Sequence, residues 1–116
     1  MKIERYETGP RMSKAVIHGD TVYLADIVAD SPKGKSVAEQ TKNILSQIDG
    51  FLALAGTDKT KLLSANIWIT DMTIFAEMNG VWDSWVSPGN APARATVEAK
   101  LASPDYKVEI MVVAAR

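Results

Sequence analysis

The chain opens with short runs of apolar and β-branched residues that are punctuated by turn signals. Residues 15–18 and 21–24 flank a Gly19-Asp20 dipeptide, and this combination predicts a β-hairpin with a two-residue turn. Residues 3–7 are predicted to add an edge strand. The polar stretch 30–35 contains Pro32 and Gly34, which indicate a loop.

The apolar spacing changes to that of an α-helix after this loop. Ser36 and Glu39 fit a capping box, in which each side chain binds a free amide of the first helical turn. Gly56 then provides a C-terminal stop. The apolar positions with helical spacing are Val37, Ile44, Leu45, Ile48, Leu52 and Ala55.

A second helix is predicted after a strand of alternating pattern over residues 62–70. In that strand, Leu63, Ala65, Ile67 and Ile69 are expected on one face, with Leu62 on the other. Asp71 or Thr73 can cap the helix. Its apolar stripe consists of Phe75, Met78, Trp82 and Trp85, and we interpret the two tryptophans as core residues.

Two further strands are predicted, over residues 94–101 and 107–114. The order of elements indicates an α+β fold, one mixed β-sheet with two helices packed on one face. The last strand is apolar on both sides, with Val108 and Ile110 on one and Met111 and Val113 on the other. This pattern favours a second copy of the chain packing on the face without helices; a strand covered by the chain's own loops is the alternative.

Composition limits the classes of function. The 116 residues, 47% of them apolar, suit a single domain over residues 1–116. Thirteen basic and fourteen acidic residues give a net charge of −1, which argues against nucleic acid as a partner because phosphate binding needs clustered positive charge. No apolar stretch is long enough to span a membrane, and the first residues lack an apolar signal core. We therefore expect a cytoplasmic protein.

The sequence contains few of the cysteine and histidine residues that bind metals or take part in nucleophilic catalysis. There is no cysteine and a single histidine, so disulfides, thiolate ligands and a structural zinc site are not expected. His18 stands beside the predicted Gly19-Asp20 turn, where exposure to solvent is usual. We therefore do not expect it to act in catalysis.

Arg94 is the residue best suited to recognise a small ligand. Alternation places Arg94, Thr96 and Glu98 on one face of their strand. If that face turns towards a partner subunit, the guanidinium lies in a crevice, where its planar fork suits two-point recognition of a carboxylate. The alternative is a surface salt bridge from Arg94 to Glu98 or to Glu109.

Glu109 is expected on the strand next to that of Arg94. Its apolar neighbours Met111 and Val113 predict a raised pKa, which would allow the carboxyl to exchange protons with substrate or water. A buried partner for an arginine is the alternative interpretation.

The run Ala91-Pro92-Ala93-Arg94-Ala95-Thr96-Val97-Glu98, followed by Lys107-Val108-Glu109-Ile110, resembles the C-terminal signature of the RidA/YjgF family of enamine/imine deaminases. Upstream similarities agree with it and extend over nearly the whole chain: Gln40-Thr41, Ile44-Leu45, Ala55-Gly56, Asp71, Phe75 and Asn79. The resemblance implies a chorismate-mutase-like fold and a homotrimer with its sheets facing inward. It also implies ligand sites between subunits.

The resemblance implies hydrolysis of 2-iminopropanoate, 2-iminobutanoate or 2-aminoacrylate to a 2-keto acid and ammonia, without a cofactor or metal. By position, Arg94 resembles the arginine that holds the substrate carboxylate, and Glu109 the glutamate that positions or activates water. Thr96 stands where many members have cysteine. Asn79 resembles an asparagine near the cleft of the adjoining subunit.

Two departures from the family pattern concern the substrate site. Family members that deaminate usually have a tyrosine in the N-terminal loop after Gly-Pro, whereas here Gly9-Pro10 is followed by Arg11-Met12-Ser13. Asp26 occupies the position of a glutamine, and its charge can repel a carboxylate ligand. These departures favour an alternative function, non-catalytic binding of keto acids or related small carboxylates with a regulatory role.

Overall fold

The computed structural model describes residues 1–116 as one mixed sheet with two helices. The strands are β1 (Ile3–Thr8), β2 (Ser13–His18), β3 (Thr21–Leu24), β4 (Ile27–Val28), β5 (Leu62–Ile69), β6 (Ala93–Glu98) and β7 (Val108–Ala115). The helices are α1 (Val37–Leu54) and α2 (Phe75–Trp85), with short 3-10 turns at Lys59–Lys61 and Met72–Ile74. The predicted α+β class is confirmed. Neither helix combines the length and the hydrophobicity that a membrane span requires.

Strand order determines which residues can meet. The order is β1-β2-β3-β7-β5-β6, and β4 also pairs with β7. Only β5 and β6 pair in parallel; the other pairs are antiparallel. Strand β5 therefore separates β6, which carries Arg94, from β7, which carries Glu109, and the expectation that these two strands are neighbours is wrong.

The helices form where local signals predict them. Ser36 and Glu39 complete the capping box of α1. Asp71 accepts a hydrogen bond from the Thr73 amide and so caps the 3-10 turn that leads into α2. Both helices pack on one face of the sheet, where alternate residues of β7 are fully buried: Val108, Ile110, Val112 and Ala114.

The opposite face of the sheet carries no helix and is called here the open face. Its central row joins Val16, Tyr23 and Val113 across β2, β3 and β7, and Trp68 and Val97 lie side by side near the other edge. Tyr23 and Val97 are each 48% exposed. The sheet is thus apolar on both sides, as predicted for β7, and the packing of a second copy on the open face stays a prediction.

A bulge changes the predicted facing at the start of β5. The register with β7 shifts between Leu62 and Ser64, so that Leu62 is buried and Leu63 is 50% exposed. The expected facing of these two leucines is therefore wrong. From Ala65 onward buried and open-face residues of β5 alternate as predicted, with Ala65, Ile67 and Ile69 in the core.

Candidate functional site

Arg94 projects from the edge strand β6 towards the helices. It pairs with Ala65 of β5, which is buried beneath the helices, and paired residues of neighbouring strands point to the same side of a sheet. Arg94 and Thr96 therefore lie on the helix side of the sheet and not on the open face, and their approach to a partner subunit stays a prediction. The parallel pairing with β5 sets this orientation, and it cannot be read from β6 alone.

Helix α2 supplies the surroundings of the Arg94 guanidinium. The group donates a 2.8 Å hydrogen bond from Nη1 to Oδ1 of Asn79. Its central carbon lies 5.3 Å from the ring centre of Trp82 and 6.0 Å from that of Phe75. The three α2 residues follow one another at spacings of four and three, which place them on one side of a helix. The cation is thus held against aromatic faces, which attract it.

No carboxylate of the chain neutralises Arg94. The ion pair that the chain does form joins Arg116 and Glu4. Glu98 instead accepts a hydrogen bond from the Met72 amide, so the alternative of an Arg94–Glu98 salt bridge is wrong. Arg94 is exposed, and its remaining N–H groups are available to an acidic ligand from solvent.

Thr96 lies on the same side of β6, two residues beyond Arg94. Its partner in the register is Ile67, which faces the core. The Thr96 hydroxyl is buried and has no hydrogen-bond partner in the chain. Such unsatisfied buried groups are rare in proteins and often mark a position with a role beyond packing.

Glu109 belongs to the open face. It pairs with Trp68 of β5 and with Val28 of β4, so apolar side chains flank the carboxyl. Burial, a hydrogen bond with Asp26 and the negative charge of Asp26, in that order of importance, together raise the pKa of Glu109 to about 7. The raised pKa predicted from apolar neighbours is confirmed, and the pairing with an arginine is not found in the chain.

The predicted residues therefore form two groups on opposite sides of the sheet. Arg94, Asn79 and Thr96 lie on the helix side, whereas Asp26 and Glu109 lie together on the open face. Asp26 contacts Glu109 and does not pair with Arg94.

Two further residues belong to the Arg94 site. The sequence predicted Trp82 and Trp85 as core residues; Trp82 is buried, and Trp85 is partly buried and packs against the core. Trp82 also supports the guanidinium, together with Phe75, which is 36% exposed. The sequence signal for this role was the helical spacing of Phe75 and Trp82 relative to Asn79. That spacing could indicate contact with Arg94 only once α2 was known to lie over β6.

Comparisons with known proteins identify the family of the chain. The chain matches the sequence profile of the family described as Endoribonuclease L-PSP over residues 3–116. It is 44% identical over 115 residues to the RutC family protein YoaB of Escherichia coli, covering 99% of each chain. It is 42% identical over 113 residues to a RutC family protein of Haemophilus ducreyi, covering 97% of this chain and 96% of the relative.

A solved structure of a YjgF family member from Neisseria meningitidis superposes with a TM-score of 0.96 at 46% identity. The match covers 100% of this chain and 96% of that one. Sequence and fold thus agree over almost the full length of both proteins. The chain therefore belongs to the Endoribonuclease L-PSP family, whose relatives also carry the names RutC and YjgF.

Proposed function

We propose that the protein hydrolyses small reactive 2-imino acids and their enamine forms to 2-keto acids and ammonia. The substrates would be 2-iminopropanoate, 2-iminobutanoate and 2-aminoacrylate. The observation that carries the proposal is the Arg94 guanidinium, which is exposed, held by Asn79 and not paired with any carboxylate. A rigid guanidinium of this kind suits the carboxylate that all three substrates share.

The reaction needs a group that moves protons as water adds to the C=N carbon. Adding water gives a carbinolamine, and breaking its C–N bond releases ammonia and leaves the keto acid. Glu109 suits this role because a pKa of about 7 lets it accept and return a proton near neutral pH. Asp26 contacts this carboxyl, and its negative charge favours the protonated form of Glu109.

The placement of Glu109 constrains how the site is assembled. In one chain, Arg94 and Glu109 lie on opposite faces of the sheet and are separated by β5. We infer that a homotrimer brings the open face of one copy to the β6 edge of another, so that the two groups border one cleft. The exposed apolar residues of the open face, among them Tyr23 and Val97, support this assembly.

The direct test couples the protein to a threonine dehydratase and follows the decay of the 2-iminobutanoate that the dehydratase releases. Wild-type protein is expected to speed the decay, and Arg94→Ala to reduce the added rate by about a hundredfold or more, since it removes the group that positions the substrate. Lys33→Ala, which removes an exposed cation from the loop before α1, serves as the control. Equal decay with wild-type protein, with Arg94→Ala and without protein would refute the proposal.

A second candidate is regulatory binding of keto acids without turnover. The contact between Asp26 and Glu109 favours it, because the negative charge of Asp26 helps to keep the proton on Glu109, and a protonated carboxyl does not activate water. Calorimetric titration with pyruvate and 2-ketobutyrate distinguishes the two functions: this candidate predicts binding that requires Arg94 and no acceleration of imine decay.

The family's printed description names an endoribonuclease. The balance of 13 basic and 14 acidic residues does not favour that activity, because RNA binding depends on clustered positive charge. A cytoplasmic location suits the deaminase proposal, since enzymes that use pyridoxal phosphate release such imines there.

A further inference from the structure

A groove of about 450 Å³ runs between α1 and α2 on the side of the helices that faces away from the sheet. Its volume falls within the range of about 300 to 1,000 Å³ that is usual for small-ligand sites. Neither Arg94 nor Glu109 lines it. The groove is therefore separate from the proposed deaminase site.

The floor and walls of the groove combine apolar surface with open space. Leu45, Val81 and Trp85 supply the apolar lining. Gly80 also lines the groove, and a side-chain carbon at this position would meet no atom within 4 Å. A glycine inside a helix costs about 1 kcal/mol relative to alanine, and here it leaves the groove open.

Two cations border the groove. The Lys59 amine lies 5.3 Å from the ring centre of Trp85, and Lys42 lines the wall on α1. Neither lysine forms an ion pair with a carboxylate of the chain. An ammonium at the rim of an apolar groove attracts a ligand that carries a negative charge on an apolar body.

One carboxylate, that of Asp49, also lines the groove. Both of its oxygens accept the indole N–H of Trp85, at 3.0 and 3.1 Å. This contact holds the carboxylate against the tryptophan edge. The lining still has two positive groups against one negative group, so its charge favours an anion.

We propose that this groove binds a small organic acid with an aromatic or similarly flat apolar body and a single anionic group. The apolar body would lie over Val81 and Trp85 in the space left by Gly80. The acid group would lie between Lys42 and Lys59. Part of the site is formed by α2, the helix that also presents Asn79 to Arg94.

The test uses 2-naphthoate as the probe and the uncharged 2-naphthamide as its control, with ¹⁵N-labelled full-length protein observed by NMR. The indole N–H signal of Trp85, assigned from Trp85→Phe, is expected to shift on titration with 2-naphthoate, together with the amides of Gly80 and Ser84. The amide analogue is expected to bind about tenfold more weakly, because it lacks the charge that the lysines attract.

Three variants examine the site itself. Gly80→Leu is expected to abolish the shifts by filling the groove while leaving the melting temperature unchanged or higher, since leucine is the better helix former. Lys42→Gln with Lys59→Gln is expected to weaken binding about tenfold. Arg94→Ala is expected to bind 2-naphthoate as tightly as wild type, so failure of the deaminase proposal would leave this one standing.

The outcomes that overturn the proposal are equally specific. No shift of the Trp85 indole would show that the groove does not bind the probe. Equal affinity for 2-naphthoate and 2-naphthamide would show that the lysines do not contribute to binding. Undiminished binding by Gly80→Leu would place the probe elsewhere, and shifts confined to Trp68 and Tyr23 would place it on the open face.

Discussion

Arg94 donates a 2.8 Å hydrogen bond to the side-chain oxygen of Asn79, which fixes the position of the guanidinium without cancelling its charge. An amide oxygen is a neutral acceptor. Asn79 therefore orients the cation from α2 while leaving it free to attract an acidic ligand. A carboxylate at position 79 would orient the guanidinium equally well, but it would neutralise the positive charge of Arg94.

Substitutions at Asn79 separate these two effects. Asn79→Ala is expected to weaken pyruvate binding about three- to tenfold, because a hydrogen bond to a charged group is worth about 1 kcal/mol at an exposed site. Asn79→Asp is expected to weaken it more, since the new carboxylate competes with the ligand for Arg94. Isothermal titration calorimetry measures both. Pyruvate binding by Asn79→Asp at the wild-type affinity would contradict the assignment.

Trp82 connects the stability of the core to the position of Arg94. It is 4% exposed, and its ring centre lies 5.3 Å from the guanidinium carbon. Trp82→Phe is expected to lower the free energy of unfolding by about 1 to 3 kcal/mol, because it loses packing volume and part of the cation–π attraction. Urea denaturation measures the change, and pyruvate affinity should fall in the same variant.

Trp85→Phe provides the control for this prediction. Trp85 is part of the same helix and packs against Trp82 at a ring distance of 5.3 Å, but no contact joins it to Arg94. Its replacement is expected to leave pyruvate affinity unchanged. An equal loss of affinity in both variants would indicate a general disturbance of α2 and not a specific role for Trp82.

The local features of this fold were predictable, and the facing of its edge strand was not. The capping box at Ser36 and the hairpin at Gly19-Asp20 depend on residues close together in sequence, and the structure has both. The direction of Arg94 depends on β6 joining β5 in parallel, a pairing that only the tertiary fold determines. The same dependence explains why Glu109 was expected on an adjacent strand.

The short strand β4 and the bulge in β5 also could not be predicted from the sequence. Strand β4 contains two residues, too few for a periodic pattern to indicate it. The bulge between Leu62 and Ser64 reverses the expected facing of Leu62 and Leu63, and no turn residue marks it in the sequence. The contact between Asp26 and Glu109 arises from the pairing of β4 with β7, so it could not be predicted before that pairing was known.

The raised pKa of Glu109 predicts a dependence of stability on pH. In the unfolded chain this carboxyl has its ordinary pKa of 4.5, whereas in the folded chain its pKa is about 7. Between these values the folded state binds more protons, so the free energy of unfolding falls as pH rises. After allowance for solvent screening, the loss is expected to be about 1 kcal/mol across this window.

Urea denaturation at pH 4.5, 6 and 8 measures this effect. Glu109→Gln is expected to flatten the profile between pH 4.5 and 7, whereas Glu98→Gln, which alters an exposed carboxyl on β6, should leave the slope unchanged. A slope that is identical in wild type and in Glu109→Gln would assign the pH dependence to other groups.

The same carboxyl predicts the pH dependence of the proposed deamination. Glu109 must be ionised to accept a proton from water, so the rate of imine hydrolysis is expected to rise with pH through about 7. Asp26→Asn is expected to move the midpoint to lower pH, because it removes the neighbouring negative charge. Initial rates of coupled imine decay between pH 5.5 and 8.5 measure the midpoint. A midpoint that Asp26→Asn leaves in place would exclude Glu109 as the titrating group.

Gln40 provides a final prediction, because its buried amide joins two loops to α1. The residue is 1% exposed. Its Nε2 donates to the carbonyls of Pro32, Lys35 and Asp105 at 3.3, 3.3 and 3.0 Å, and its Oε1 accepts the Lys107 amide at 3.0 Å. Gln40→Leu keeps the approximate volume but leaves the Lys35 and Asp105 carbonyls and the Lys107 amide without this partner; the Pro32 carbonyl still accepts the Lys35 amide. The free energy of unfolding is expected to fall by about 2 to 4 kcal/mol, since unsatisfied buried polar groups are costly.

Gln47→Leu is the matched control on the same helix. Gln47 is only partly buried and donates to the Val28 carbonyl at 2.9 Å, so its replacement affects a single backbone group and should cost about 1 kcal/mol. Because Lys107 directly precedes β7, loss of the Gln40 contact should also increase hydrogen exchange at the start of that strand, near Glu109. Equal destabilisation by the two variants, or unchanged exchange in β7, would show that Gln40 does not link the loops to the sheet.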